Sequence, residues 1–498
     1  MKRIIKLIAL SSFFMAGVVL AKTDRFIQKN YMQPRDQLSN LAMKTVNWHY
    51  FYNAKPDGKY SGTVQVTPFY QKSAGKYGVG KYFGFVNDNP LLEGQPREQN
   101  YIGVKYNDPE YLLDPRDIIH EEQEEAEFVG RFKFEPYQEI WAARFDWHQD
   151  LDELINGLFF EISTPLVSVK NNMNLTDMEA GHPEELINGK EVTLRDYFSG
   201  NISTNGSLTG EFVQLPLKYA RMAGGNTTGG FADVEIDLGY QLFYKKNFRL
   251  SFNGAVIVPT GNQPKAINRF EPIYGSGDHW ALGFGIDTDL TFWKSKDDNK
   301  HIKALLLGNY RFYFKSTEKR TPTFKDENGK SKLEYMYLLG GEKGERKVFP
   351  LANVLTQDLN IEPGSQVELL AALNFKWKRW HLDAGYNLFA RESEVVEFKH
   401  TWNNYKYAVA AYDYDTSIDF DLNTNIREGF KTITDSDIDL TSVKQPSQTT
   451  HKVYGGLAYE CKRWKYPTMF GLGGHYEWAR TNASLETWAL WLKASLAY

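Results

Sequence analysis

Apolar and polar residues alternate along this chain in segments longer than an ordinary sheet uses, and that period of two narrows its folds most. From Val234, the set Val234, Ile236, Leu238, Tyr240 and Leu242 alternates with Asp233, Glu235, Asp237, Gly239 and Gln241. After a turn at Lys245-Lys246-Asn247, Phe248, Leu250, Phe252, Val256 and Val258 face one way, and Arg249, Ser251 and Asn253 the other. Trp280, Leu282, Phe284, Ile286, Leu290 and Phe292 oppose His279, Gly283, Gly285, Asp287 and Asp289. Ile302, Ala304, Leu306, Tyr310, Phe312 and Phe314 oppose Lys303, Asn309 and Arg311. Val367–Trp377 and Trp380–Ala390 repeat the scheme across Lys378-Arg379, placing Glu368 and Asp383 on the polar side. A strand puts such charges on one face, whereas a helix would scatter them around its circumference.

A soluble β-sandwich also alternates, but three features count against it. These segments run to 11–15 residues, beyond the usual ~5–6 of globular strands. Aromatic residues gather at segment ends (Trp280, Phe292, Trp377, Trp380, Trp464, Trp478), where a membrane interface would hold them. Connections alternate short and long. A sheet edge in lipid would leave backbone groups unpaired, so membrane strands must close on themselves. The expected fold is therefore all-β: a transmembrane antiparallel up-and-down β-barrel with long extracellular loops. A mean hydropathy of −0.50 fits it, because only every second side chain meets lipid.

The chain opens with Met1-Lys2-Arg3 and Lys6, runs apolar from Leu7 to Leu20, and reaches the small residues of Val19-Leu20-Ala21. That layout is a secretory signal peptide over 1–21, leaving 22–498 as one barrel domain. After it no stretch approaches 18 apolar residues, which excludes a helical membrane protein. Turns at 244–247, 294–300, 377–380 and 461–466 read as periplasmic, and the connections 259–278, 315–364 and 391–449 as extracellular. Strand candidates in the first half are 43–53, 60–71, 126–136, 139–148, 157–169 and 211–221, with weaker ones near 81–86 and 101–106. The strong candidates total fifteen, and single-chain bacterial barrels are even-numbered. Pro216 sits badly in a central strand, so 211–221 is set aside and about 14 strands are expected, with 16 as the alternative. Segment 170–210 contains a short helix candidate, Glu191–Phe198, in a loop, a periplasmic turn or a lumen insert.

The polar faces carry the candidate lumen residues. Asp233, Glu235 and Asp237 adjoin a strand with Arg249, and Asp287 and Asp289 adjoin one with Lys303 and Arg311. In the first half Arg131 and Lys133 are expected beside Arg144 and Asp146; Glu368, Asp383 and Lys493 complete the set. Buried charge at this density needs water or a partner. Two readings follow: a water-filled channel tuned by these charges, narrowed by an inserted long loop, or a filled barrel held shut by paired ladders.

Other chemistry finds little support. The ten histidines are scattered, and no Gly-x-Ser-x-Gly, His-Glu-x-x-His or cysteine–histidine cluster occurs, so an outer-membrane hydrolase is the least favoured reading. His148 and His279 read as the polar rim of the barrel. Tyr412-Asp413-Tyr414-Asp415 and Ile418-Asp419-Phe420-Asp421 read as an acidic hairpin, and their spacing fits no EF-hand loop. No cofactor or metal is expected. The single cysteine, Cys461, excludes an intramolecular disulfide, and a net charge of −4 argues against nucleic acid.

Val258-Pro259-Thr260-Gly261-Asn262, with Glu271-Pro272-Ile273-Tyr274-Gly275-Ser276-Gly277-Asp278-His279-Trp280, Gly230-Phe231-Ala232-Asp233 and Gly239-Tyr240, resembles outer-membrane barrels grouped with phenol-degradation and FadL-type transporters. The resemblance covers 230–293 and implies a channel for small molecules in a Gram-negative outer membrane. The expectation is a porin-like channel for small solutes; the alternative is a closed structural or surface-interaction barrel acting through its loops. Oligomeric state, monomer or trimer, stays open. In the final strand Trp488, Leu490, Leu492, Ala494, Leu496 and Tyr498 face lipid. Its terminal aromatic resembles the signal read by the barrel-assembly machinery, so outer-membrane lipids and that machinery are expected partners.

Overall fold

A computed structural model describes most of the chain from residue 27 to residue 498. Residues 1–26, 47–60, 84–100, 106–128 and 411–429 lie outside the described residues, with shorter stretches at 75, 180–185, 188–189, 192–193, 202–203, 206–212, 215, 223, 246, 298, 326–330, 333–336, 341–346, 404–406 and 462–463.

Twelve strands close the wall: β1 (Gly62–Ala74), β2 (Tyr137–Asp150), β3 (Leu158–Asn172), β4 (Val234–Lys245), β5 (Phe248–Val258), β6 (Ala281–Lys294), β7 (Lys300–Tyr313), β8 (Gln366–Trp377), β9 (Trp380–Arg391), β10 (Gln448–Cys461), β11 (Thr468–Ala479) and β12 (Glu486–Ala497). Each pairs antiparallel with the next, and β12 returns to β1, with Val64 opposite Leu496 and Phe69 opposite Trp491. Paired backbone bonds between Gly62 and Tyr498 (3.0 and 2.9 Å) seal the seam. Closure leaves no unpaired edge, as lipid demands.

The strand count corrects the expected 14. The candidate 43–53 begins inside a helix, Leu41–Thr45, capped by Asn40, whose side chain accepts from Met43 N; 47–53 lie outside the described residues. Val129–Phe134 pairs with Tyr101–Lys105 and Leu175–Glu179 in a separate three-stranded sheet. Arg131 and Lys133 therefore sit on a loop strand and not on the wall. Alternation cannot tell these apart, since a loop sheet also has two faces. Among the described residues of 211–221, Val213–Gln214 is extended, in a six-stranded sheet outside the barrel, in keeping with Pro216's missing donor. Of the weaker candidates, 81–86 overlaps the helix Lys76–Phe83, and 101–106 pairs outside the barrel. The expected helix near 191–198 is present at Leu194–Ser199, in the connection between β3 and β4.

β4 is entered through a break. Gly225–Phe231 continues its line along the upper half of β3, from Gly225 opposite Asn172 to Phe231 opposite Leu166, and Ala232-Asp233 interrupts before β4 takes over. The outward side chains alternate as expected. Leu238, Leu282, Phe284, Leu306, Leu373, Leu382, Leu472, Leu490 and Leu492 are exposed around the girth, a continuous apolar band that no water-exposed barrel would carry. At the short-turn end the band finishes in Tyr244, Phe292, Trp293, Trp377, Trp380, Trp464 and Tyr466, and at the other in Trp141, Trp280, Phe312 and Phe314. Trp478, expected in this girdle, is half-buried, 5.7 Å from the His451 ring.

The long connections fold into a cap over one end. Ser316–Arg320, Gln357–Glu362 and Val395–Phe398 form a sheet continuing the line of β7–β9. Phe324, Leu351, Leu355, Ile433 and Ile438 make one small core in the cap, and Tyr31, Ile273, Leu359, Ile361 and Val443 another. The acidic hairpin expected over 412–421 lies outside the described residues.

Candidate functional site

Residues 27–46 run down the inside of the barrel. At the cap end Ile27 exchanges two 2.8 Å bonds with the Asn482 side chain, Lys29 N donates to Tyr82 O and Asn30 N to Ser442 O. Gln33 N donates to Gln445 Oε1 (2.8 Å), and Arg391 donates to Gln33 O (2.7 Å). The chain then descends to α1 (Leu41–Thr45), deep in the lumen, and reappears at the short-turn end as β1.

Charged side chains tie this segment to the wall. The Arg35 guanidinium bonds Glu368 of β8, Glu477 of β11 (3.0 Å) and Asn387 of β9 (3.3 Å), and lies 4.5 Å over the Phe389 ring. Glu368 also accepts from Leu41 N (2.9 Å), so one carboxylate holds both the guanidinium and the start of α1. Lys44 reaches Glu161 of β3 at 2.7 Å and Asp237 at 4.0 Å. Lys493 of β12 donates to Met43 O (2.6 Å) and Val46 O (2.5 Å), partnering carbonyls that the end of a helix leaves without intrahelical donors. Arg144 donates to Leu38 O (2.8 Å) and pairs with Asp146. Between these polar ties, Leu41, Ala42, Met43 and Val46 pack into an apolar belt that includes Phe69, Ile140, Val167, Val169, Leu305, Leu370 and Trp491. Trp491 lies over Gly473, where a Cβ would meet the indole at 2.7 Å, and Phe159 covers Gly239 in the same way. A cavity of about 30 Å³ flanks Arg35, space for ~2 waters.

The expected lumen residues are gathered as follows. Both Glu235 oxygens accept from Arg311 Nη2 at 2.9 Å, Asp287 pairs with Arg249 (3.2 Å) and Asp289 with Lys303 (3.1 Å). Asp237 accepts from Asn253 and Asp383 from Asn374. Asp233 sits at the break before β4 and accepts from Ser276 N (2.7 Å) and Gly261 N (3.3 Å), so it holds a loop. His148 is buried between Glu161 and Asp150 inside the barrel, a step in from the expected rim. The sequence points to a long loop, or to segment 170–210, as inserted protein; the structure fills the lumen with residues 27–46 instead. Sequence reasoning missed Arg35, Lys44, Lys452, Glu477 and Glu161. The available signal was Asn40 ahead of Leu-Ala-Met-Lys, an N-cap pattern.

A second cluster locks the segment to the cap. Arg320, fully buried, pairs with Glu318 (2.7 Å) and Glu394 (2.6 Å), donates to Val443 O and lies 3.6 Å over the Tyr31 ring. His279 bonds Glu318 at 2.9 Å and Phe314 O at 2.8 Å. Burial alone would lower the His279 pKa; the bond and charge of Glu318 outweigh it and hold the imidazolium above its ordinary value. A histidine easier to protonate when folded adds stability that is complete below about pH 6.5 and lost as pH rises through the higher folded value. Glu271, pushed up to about 7 by burial, loses stability in the same direction. Protease nicking of the cap should therefore quicken from pH 6 to pH 8, and His279→Gln should flatten that rise without abolishing it. An unchanged slope in the variant would remove His279 from the lock.

No known protein family and no curated protein sequence matches this chain. Solved structures that match include an outer-membrane channel from Pseudomonas putida F1, at TM-score 0.36 and 10% identity over 90% of this chain and 98% of that one. The Pseudomonas putida toluene transporter TodX matches at 0.33 and 10%, over 96% and 99%, and the CymD monoaromatic hydrocarbon channel at 0.28 and 11%, over 88% of each.

Proposed function

We propose that this chain is an outer-membrane channel for small solutes whose lumen is shut by residues 27–46 and opens when that segment shifts. The short turns then face the periplasm, the cap faces outward, and the outward face of β12, from Trp488 to Tyr498, addresses the assembly machinery. The observation that carries the reading is the contrast between wall and filling. The wall is joined by a closed backbone ladder, whereas Arg35, Lys44 and Lys493 secure the filling largely through side-chain bonds and ion pairs. Ion pairs of this kind reposition at far lower cost than a strand separates in lipid.

A barrel that works only through its loops would use the same pairs as permanent struts, so the two readings differ in whether the segment moves. Ala42 is fully buried in α1. In a Cys461→Ser background, Ala42→Cys reconstituted into vesicles should react with a small water-soluble thiosulfonate while the barrel keeps its folded gel mobility. Complete protection until the barrel unfolds would instead favour the permanently filled form.

A further inference from the structure

We propose that the short-turn rim along the arc from β4 to β11 is a binding surface for anionic phospholipid headgroups. Lys245, Lys294, Lys296, Lys300, Lys378 and Lys465 are all exposed there. The acid on the described part of these turns, Asp297, is held within its own turn by Ser295 Oγ (2.5 Å) and Asn299 Nδ2 (2.8 Å). The arc is therefore a basic strip.

The register sets its depth. Lys300 stands opposite Trp377, Trp377 opposite Trp380, and Trp380 opposite Tyr459, so ammonium groups and aromatic rings share one level of the barrel. Register shifts at Gln241/Phe243 and Thr291/Trp293 turn consecutive residues outward, Leu242 with Phe243 and Phe292 with Trp293, thickening the apolar edge beneath the lysines. Lys378 lies 6.0 Å from the Trp377 ring, Lys465 5.1 Å from Tyr466 and Lys245 5.9 Å from Phe243. Tryptophan and tyrosine rings settle at the headgroup level, which puts these cations at the depth of lipid phosphates.

Net charge selects among lipids. A zwitterionic headgroup brings its own cation to the surface, whereas an anionic one leaves its phosphate charge for the lysines. The remaining short turn, between β2 and β3, carries Asp152 and Glu153 with the exposed Leu154 and Ile155. Its charge has the opposite sign, so anionic lipid should collect along one arc and leave the rest of the circumference.

The rim tryptophans report directly. The full-length protein is placed in phosphatidylcholine vesicles containing phosphatidylglycerol, with brominated chains on one lipid or the other, and tryptophan quenching gives the relative association of each. The intact protein should prefer phosphatidylglycerol by roughly threefold, less in high salt, where the screening length shrinks to a few ångströms. In Lys294→Gln/Lys296→Gln/Lys378→Gln/Lys465→Gln the preference should fall towards one, with the folded gel mobility retained. Equal quenching by both lipids in the intact protein overturns the assignment. So does an undiminished preference in the folded quadruple variant, which would place the anionic lipid elsewhere.

Discussion

A chain lacking residues 27–46 should carry a steady ionic current in a planar bilayer where the intact protein passes little. The wall does not depend on the segment, because β12 closes on β1 through backbone bonds from Gly62 to Tyr498. What the segment contributes is volume: α1 and the residues before it occupy the middle of the lumen, and Leu41, Ala42 and Met43 fill its apolar belt. The deletion also removes the cations of Arg35 and Lys44 from Glu161, Glu368 and Asp237, which then line the path, while Glu477 keeps Lys452 at 3.0 Å. The current should accordingly favour cations, seen as a shifted reversal potential in a salt gradient.

Arg35→Ala is the single-residue form of that experiment. It leaves Glu368 without its cation, while Glu477 keeps Lys452 at 3.0 Å, and breaking a buried pair from one side costs about 3–5 kcal/mol. That cost falls on the docking of the segment, so the current should flicker between shut and open, and Glu368→Gln in the same chain should quieten it. If the deletion variant keeps its folded mobility and still passes no current, something other than this segment closes the barrel.

The second large effect is expected at the cap. Arg320→Ala removes the guanidinium that Glu318 and Glu394 share, leaving Glu318 with His279 alone, and the Tyr31 ring loses its stacked partner. About 3–5 kcal/mol is again at stake, here against a cap held by two small apolar cores. Hydrogen exchange should rise sharply across Ser316–Arg320 and Gln357–Glu362, and in residues 27–33, while β1–β12 stay protected. Arg320→Lys should rescue little, because an ammonium cannot make the paired, stacked geometry of a guanidinium. Protection unchanged in the cap would show that the clusters hold it without the ion pairs.

The two experiments touch what the sequence reads well and what it does not. The second half of the wall was legible strand by strand, because alternation is a local property: Val234 to Leu242, or Trp280 to Phe292, shows its two faces whatever surrounds it. The first half was less so. Val129–Phe134 alternates like a wall strand yet pairs with Tyr101–Lys105 and Leu175–Glu179, so local pattern could not exclude it. The inward placement of Glu235, Arg249, Asp289, Arg311, Glu368 and Lys493 followed from the same alternation, but whether they met water or protein did not.

By itself the sequence determined a closed antiparallel wall, apolar outside and charged within, with short connections at one end and long ones at the other. A period of two and the cost of unpaired backbone in lipid leave little else. Only the tertiary structure decided that the interior is filled, and by which residues. The partners are too far apart for any local signal: Arg35 meets Glu368 across 333 positions and Lys493 meets Met43 across 450. A charged side chain looks the same in sequence whether its partner is a water molecule or an arginine from the other end of the chain.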